Sequence, residues 1–368
     1  MIITHIEARG FRNIHHGQFE PQGQLNVLYG ANAQGKTNWL EVIYLLATAN
    51  SFRTPRLSEA LTYGGGEAIL RARAERHGLK KELAIQLTPR SKRLFVNGKR
   101  EPSSRYLGQL AAFICSLEQM NVVRGEPEYR RQFLDQGAAS IDPKYAKVLE
   151  TYNRILKQKN RLLRQVPDHP HPNIVIDQIE TWNQQLIEYG TIIHQVRSQY
   201  VKKLQEVLQG NLFGKEEIQI RYASSLEAHG ELDDYAALLA ERLRVRLSAE
   251  IAVGYSLVGP HRDDLDIRFD GRDLRRFASA GQQRSALLML DLARISVYNR
   301  ELNAYPIFLI DDIDAELDRE RIDIFLGHLQ GKAQTFITTS KRDVAVAFAD
   351  RAALFRIENG HVRTGTGS

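Results

Sequence analysis

Between Gly30 and Thr37 the chain reads Gly-Ala-Asn-Ala-Gln-Gly-Lys-Thr. Glycines at the first and sixth positions let a backbone wrap a phosphate so that amide N–H groups point inward. A helix starting near Gly35 would aim the positive end of its dipole at the same phosphate. These residues suit a nucleoside triphosphate. Gly30, Ala31, Asn32, Ala33, Gln34 and Gly35 form the cradle, Lys36 reaches the β- and γ-phosphates, Thr37 offers a hydroxyl to Mg2+, and Asn38 follows. ATP and Mg2+ are therefore the expected cofactors. The flanks agree: Leu25–Tyr29 is a short apolar strand, and Leu40, Ile43, Tyr44 and Ala47 then share one helical face.

A second chemical element lies far downstream. Residues 306–312 read Pro-Ile-Phe-Leu-Ile-Asp-Asp, an apolar strand ending in two carboxylates. In a phosphate-loop enzyme the first, Asp311, is placed to hold Mg2+ through water. The second, Asp312, would stand near the γ-phosphate and polarise the attacking water. Asp312, Lys36 and Asp311 are thus the candidate catalytic residues, with Thr37 and Asp311 on the metal.

Ser279-Ala280-Gly281-Gln282-Gln283 opens a helix predicted over 281–298. Ser279 can cap it, and the free N–H groups make a second anion site. Phosphate loop, then this segment, then the acidic strand followed by Glu316-Leu317-Asp318, is the order found in ABC-type ATPases. That likeness implies that Ser279, Gly281 and Gln282 contact a γ-phosphate bound to a second subunit.

Charge is uneven. The formal net charge is +6, and residues 71–100 hold ten Lys or Arg against two acids, Glu75 and Glu82. Such a stretch attracts a polyanion, of which nucleic acid is the commonest; it is also what a solvated strand face looks like. The DNA candidates are Arg71, Arg73, Lys80, Lys81, Arg90, Lys92 and Arg93, with Arg53 for DNA or nucleotide sensing. Arg130 and Arg131 suit either phosphate or buried carboxylates.

The elements that must position these groups fall into three stretches. The first hundred residues predict strands at 68–73, 82–87 and 93–96, with Asn97-Gly98 as a hairpin turn. The middle predicts helices on both sides of the proline-rich break at 167–172. Ile179, Trp182, Leu186, Tyr189, Ile193, Val196 and Tyr200 form a heptad seam. Two such helices suit an antiparallel arm, or an ordinary helical subdomain. The last third returns to alternation, with strands at 256–258, 265–269, 306–310 and 335–338. The reading is α/β, with a head built from 1–104 and 248–368 and a mainly helical domain, 105–247, inserted between them.

With 368 residues, 43% of them apolar, each part can bury its own core. A single cysteine, Cys115, excludes an intrachain disulfide and points to a reducing, cytoplasmic setting. No run approaches a membrane span, and the N-terminus enters a strand without the order of a signal peptide. His15, His16, His169 and His171 read as surface residues.

Several further segments carry a resemblance. They are Ser51-Phe52-Arg53-Thr54; Glu118 leading into Val122-Val123-Arg124-Gly125-Glu126-Pro127; residues 130–135, Arg-Arg-Gln-Phe-Leu-Asp; and residues 259–265, Gly-Pro-His-Arg-Asp-Asp-Leu. With 279–284 and the acidic strand, the chain resembles the RecF family, bacterial recombination and repair ATPases related to the SMC proteins, over nearly its whole length. The resemblance implies an ABC/SMC-type head, slow ATP hydrolysis coupled to dimer and DNA release, and an ATP-dependent homodimer. It implies binding to duplex DNA and single/double-strand junctions, and work with RecO and RecR to load RecA. Departures are Leu117 for proline, Glu126 for a small residue and Ala315 for serine; Thr338, Thr339 and Ser340 stand where ABC ATPases often carry histidine.

Three rivals stay open on residues alone. A transporter's nucleotide-binding subunit would not need the 245 residues between Lys36 and Gly281. A small-molecule kinase would not need Ser279–Gln283 in that position. A nuclease would need an extra acidic metal cluster, which the sequence does not show.

Overall fold

The structure is a computed structural model that describes residues 1–76, 78–209, 217–313 and 319–364. The elements are, in order, β1 (Ile2–Phe11), β2 (Ile14–Phe19), β3 (Leu25–Tyr29), α1 (Lys36–Thr48), β4 (Ala68–Arg76), β5 (Leu79–Thr88), β6 (Ser91–Val96), β7 (Lys99–Glu101) and β8 (Ala112–Cys115). Then come α2 (Pro127–Ile141), α3 (Pro143–Gln165), α4 (Pro172–Leu208), β9 (Ile218–Ala223), α5 (Tyr235–Val253), β10 (Asp264–Phe269) and β11 (Arg272–Asp273). The chain ends with α6 (Ala280–Leu302), β12 (Ile307–Ile310), α7 (Arg319–Leu329), β13 (Thr335–Thr339), β14 (Ala353–Glu358) and β15 (His361–Thr364). No helix among the described residues is long and apolar enough to cross a membrane.

Two compact units emerge: Met1–Asn121 with Ser279–Ser368, and Val122–Ala278. The first holds two six-stranded sheets. One is antiparallel, ordered β2-β1-β4-β5-β6-β7; the other, ordered β15-β14-β3-β13-β12-β8, is parallel except for the β14–β15 hairpin. β8 pairs with β12, which takes the unit's first segment past residue 104. Helix α1 is buried from Trp39 to Ala47 because both sheets supply its core. Ile6, Ala72, Leu83 and Ile85 come from the antiparallel sheet, and Leu28, Leu309 and Phe336 from the parallel one. A helix buried all round reads as apolar on every face.

The second unit is mainly helical, with the three-stranded sheet β11-β10-β9. Helices α3 and α4 flank the proline break, and Leu163, Val166, Val175 and Ile179 close the end nearest it. Half of the expected seam in α4 holds: Ile179, Leu186, Ile193 and Tyr200 are buried. Trp182, Tyr189 and Val196 are only half-buried, and Asn183, Gly190, His194 and Arg197 are buried in their place. Arg197 makes a two-pronged pair with Asp135 at 2.8 Å, and His194 stacks on Tyr235 with ring centroids 3.9 Å apart. The strand expected at 256–258 is absent. This stretch is irregular because Glu250 accepts from the Leu257 N–H, and Arg262 and His261 both reach the Ser256 carbonyl.

Candidate nucleotide site

The parallel sheet sets the site. Strand order β3-β13-β12 brings three carboxyl ends side by side, where ligands of open parallel sheets bind. The loop 30–35 leaves β3, Thr338 lies near the end of β13, and Asp311 follows β12. The Thr37 hydroxyl donates to Asp311 Oδ1 at 2.9 Å, and the Thr338 hydroxyl donates to the same oxygen at 2.7 Å. Thr338 Oγ1 in turn accepts from the Asp312 N–H at 2.7 Å. Asp312 takes a positive φ of 53°, a turn that aspartate tolerates better than most residues.

Lys36 folds over the loop, its Nζ donating to the carbonyls of Gly30 and Ala31 at 2.9 Å each. Gly30 has φ 155° and lies so close to the Ile357 carbonyl that a Cβ would stand 2.4 Å from its oxygen. The loop is also gripped from the chain's last hairpin. The Asn359 N–H donates to Gln34 Oε1 at 2.7 Å, the Gly360 N–H donates to the Gln34 carbonyl at 2.8 Å, and the Trp39 indole donates to the Gly360 carbonyl at 3.0 Å. Asn13 joins the frame, accepting from Asn38 Nδ2 at 2.7 Å and donating to the Ala33 carbonyl at 3.4 Å.

Burial pushes the Asp311 carboxyl above the usual carboxylate range, against the hydrogen bonds from Thr338 and Thr37, and the charges of Glu118 and Asp312 push the same way. A hard divalent cation suits such a place: it binds oxygen and would offset the crowded negative charge. Among the described residues no group of three His, Cys, Asp or Glu gathers as a ligand set. Thr37 and Asp311 are the oxygen groups that would meet such a cation, with phosphate oxygens or water for the rest. Glu118 was not singled out from the sequence as a site residue; only the pairing of β8 with β12 shows why it belongs here.

Beside the loop helix, Glu41 is fully buried and meets Arg12 through two contacts, at 2.7 and 3.0 Å. Arg53 donates to Asn38 Oδ1 at 2.8 Å and lies 3.5 Å from Glu41, so it stands next to the loop helix. Ser279 caps α6 in a reciprocal box with Gln282, and both the Ser279 and Ala280 side chains are exposed. Glu316-Leu317-Asp318 and Ala315 lie outside the described residues.

The basic stretch divides by strand face. Arg71, Arg73, Lys80 and Arg93 face outward on β4, β5 and β6, and Arg90 is exposed in the β5–β6 turn. Arg71 pairs with Glu7 at 3.4 Å and Arg73 with Glu82 at 3.9 Å. Lys81 and Lys92 belong to the inward register: Lys81 donates to Gln109 Oε1 at 2.6 Å, and Lys92 donates to the Ala49 carbonyl while burial lowers its pKa. Arg130 is committed to Asp264 through two contacts of 2.7 and 2.8 Å, and Arg131 donates to the Asp263 carbonyl.

Comparison with known proteins agrees with this geometry. The family model described as the RecF/RecN/SMC N terminal domain matches residues 2–363. Curated relatives called DNA replication and repair protein RecF include one from Geobacter sp. (strain M21), 34% identical over 98% of this chain and 100% of its own length. Another, from Pelotomaculum thermopropionicum, is 36% identical with the same coverage. A solved structure titled as the recombination mediator protein RecF-ATPrS in the RecFOR pathway superposes with TM-score 0.89 at 31% identity, covering 99% of this chain and 98% of that one. Its RecF-ATP counterpart gives 0.86 at 31% identity, covering 99% of each chain. An Smc head from Pyrococcus furiosus, 16% identical with TM-score 0.52, shares the fold; with the family model and the RecF structures, the fold is that of an ABC/SMC-type ATPase head. A transporter subunit is not favoured, since relatives spanning the whole chain are replication and repair proteins.

Proposed function

The chain belongs to the RecF family, and we propose that it is an ATP-dependent DNA-binding protein of recombinational repair and replication-fork maintenance. The observation that carries the ATP half of this is the hydrogen-bonded series Thr37–Asp311–Thr338 at the mouth of the phosphate loop, and relatives that match over the whole chain support the repair role. ATP is the substrate; relatives solved as RecF-ATP and RecF-ATPrS support it. Thr37 and Asp311 hold Mg2+, which supplies charge neutralisation on the phosphates. Residues 30–38 bind the triphosphate, and Lys36 exchanges its two carbonyl partners for β- and γ-phosphate oxygens. Asp312 orients the attacking water and accepts its proton as the bond to the γ-phosphorus forms and the β–γ bridging bond breaks.

The helix start at Ser279, Gly281 and Gln282 serves a γ-phosphate held by a second copy of the chain, so ATP joins two heads and its slow hydrolysis releases them and the DNA. The load is duplex DNA or a single/double-strand junction. The RecFOR titles of its structural relatives support RecR and RecO as partners, with RecA downstream. These partners place it in the cytoplasm. The head takes in Met1–Asn121 with Ser279–Ser368, longer in its first segment and shorter in its second than the expected 1–104 and 248–368, and Val122–Ala278 is the mainly helical insertion. Arg53, beside the loop helix, senses nucleotide, while the outward arginines of β4 and β6 meet DNA.

Particle mass and DNA affinity measured together, with and without ATP, test this. The expected result is a monomer that doubles in mass with ATP and then binds blunt and gapped DNA. An ATP-bound protein that stays monomeric and ignores DNA overturns the proposal.

A further inference from the structure

Tyr63 is 103% exposed, so its ring has no cover at all. It precedes Gly64, Gly65 and Gly66, which have no side chains to shield it. The root of the loop is fixed. The Thr62 N–H donates to the Gly10 carbonyl at 2.9 Å, the Gly65 N–H to the Thr62 carbonyl at 2.7 Å, and the Arg12 N–H to the Ala60 carbonyl at 2.8 Å. Thr62 is therefore held against Gly10 near the end of β1, and Tyr63 is the next residue along.

The sheet register makes this end distinctive. Outward residues His16, Arg9, Ile69, Gln86 and Arg93 pair in one row across β2, β1, β4, β5 and β6. No carboxylate stands in that row; the nearest, Glu67, accepts from Gln86 Nε2. The next rows carry Glu7 beside Arg71 and Glu82 beside Arg73, so those arginines are already paired. Arg9 and Arg93 are exposed and make no ion pair among the described residues. At about 4.8 Å per strand they lie roughly 14 Å apart, and the carboxylate beside the row, Glu67, is tied to Gln86 rather than to either arginine.

We propose that Tyr63, with Arg9 and Arg93, forms a stacking subsite for an unpaired DNA base at the edge of a duplex. This rests on the DNA-binding function above and names where the single-stranded part of a junction goes. An exposed phenol stacks on any base whose π-face is open, and bases inside a duplex have both faces covered. The two arginines, neither of them in an ion pair among the described residues, hold the phosphates that flank the base. Arginine alone would hold a duplex equally well; the ring makes the site prefer an unpaired base.

The test is the affinity of the full-length protein, with ATP, for gapped DNA and for blunt duplex of equal length, with 2-aminopurine as the first unpaired base. Tyr63→Ala weakens gapped DNA by about 5- to 100-fold, leaves blunt duplex and ATP binding unchanged, and removes the quenching of 2-aminopurine. Tyr63→Trp restores both the gapped-DNA affinity and the quenching. Arg9→Ala with Arg93→Ala weakens both DNAs and flattens their salt dependence. Gapped-DNA affinity unchanged in Tyr63→Ala, or equal losses on gapped and blunt DNA, overturns the subsite while the DNA-binding function stands. A wild-type protein that binds neither DNA with ATP overturns both.

Discussion

Thr37 and Asp311 stand 274 positions apart in the chain and share a 2.9 Å hydrogen bond. Parallel pairing of β13 with both β3 and β12 closes that distance, and Thr338 on the middle strand completes the contact from the other side. One carboxylate oxygen thereby takes two hydroxyl donors in a buried place. The hydroxyls point at the oxygen a cation would use, so the site is pre-organised and electrostatically unrelieved at once.

Asp311→Asn separates these two properties. Because burial raises the Asp311 pKa in the folded chain, its ionisation favours the unfolded state. The stability tied to its protonated form is fully present below the ordinary carboxylate value and is lost as pH rises through the raised one. Without nucleotide, Asp311→Asn should therefore melt higher than wild type near neutral pH, with the gap closing as pH falls towards 4. Mg2+-dependent ATP binding should weaken at least tenfold. Melting curves that coincide at neutral pH would show that the carboxylate is not under strain.

Asp312 and Ser279 divide hydrolysis from assembly. Asp312→Asn should keep ATP affinity, slow hydrolysis by about 100-fold or more, and prolong the ATP-dependent dimer. Ser279→Arg should bind ATP as a monomer and fail to dimerise by light scattering, because a bulky cation replaces the helix cap. An unchanged hydrolysis rate in the first variant would remove Asp312 from the role of water-orienting group.

Legibility in the sequence followed the range of the interactions. Residues 30–37 were readable because strand, loop and helix are local, and Asn97-Gly98 because a two-residue turn needs two positive φ values, here 50° and 76°. Leu265–Phe269 is readable from its alternation and 335–338 from its β-branched and aromatic residues, and both reappear, in β10 and β13. Glu118 was not readable as a site residue, since only β8 pairing brings it near Asp311. Lys81 and Lys92 looked like the other cations because composition ignores strand parity; alternation against buried Leu83 and Leu94 turns them inward. In α4 the apolar heptad placed only half of the buried stripe, because Asn183, His194 and Arg197 are buried with polar or aromatic partners. The Asn359-Gly360 turn carried a local signal, but its grip on Gln34 spans 325 positions and did not.

That grip predicts a contrast between two glycines. Gly360 has φ 79°, and a Cβ there would stand 2.6 Å from the Asn13 carbonyl oxygen. Gly98 has φ 76° with nothing within 4 Å. Both alanine substitutions should cost about 1 kcal/mol or more for the left-handed backbone. Gly360→Ala should also shift the turn that holds Gln34 and lower ATP affinity about tenfold, whereas Gly98→Ala should leave it unchanged. Equal ATP affinities in the two variants would mean that the hairpin does not position the loop.

The helical unit offers a test of its own core. Lys159 Nζ lies 2.7 Å from Glu250 Oε2, and both side chains are 0% exposed. Glu250 also accepts from Ser256 Oγ and the Leu257 N–H, so it anchors the irregular stretch after α5. Desolvation lowers the Lys159 pKa while Glu250 pulls it back up. Lys159→Met should leave that carboxylate buried without its counter-charge and cost about 3–5 kcal/mol. Adding Glu250→Gln removes the orphaned charge yet keeps an acceptor for Leu257, so the double variant should recover most of the loss. Urea unfolding followed by helical circular dichroism measures both. A double variant no more stable than Lys159→Met alone would show that packing around the lysine stem, rather than the pairing of charge, holds α3 to α5.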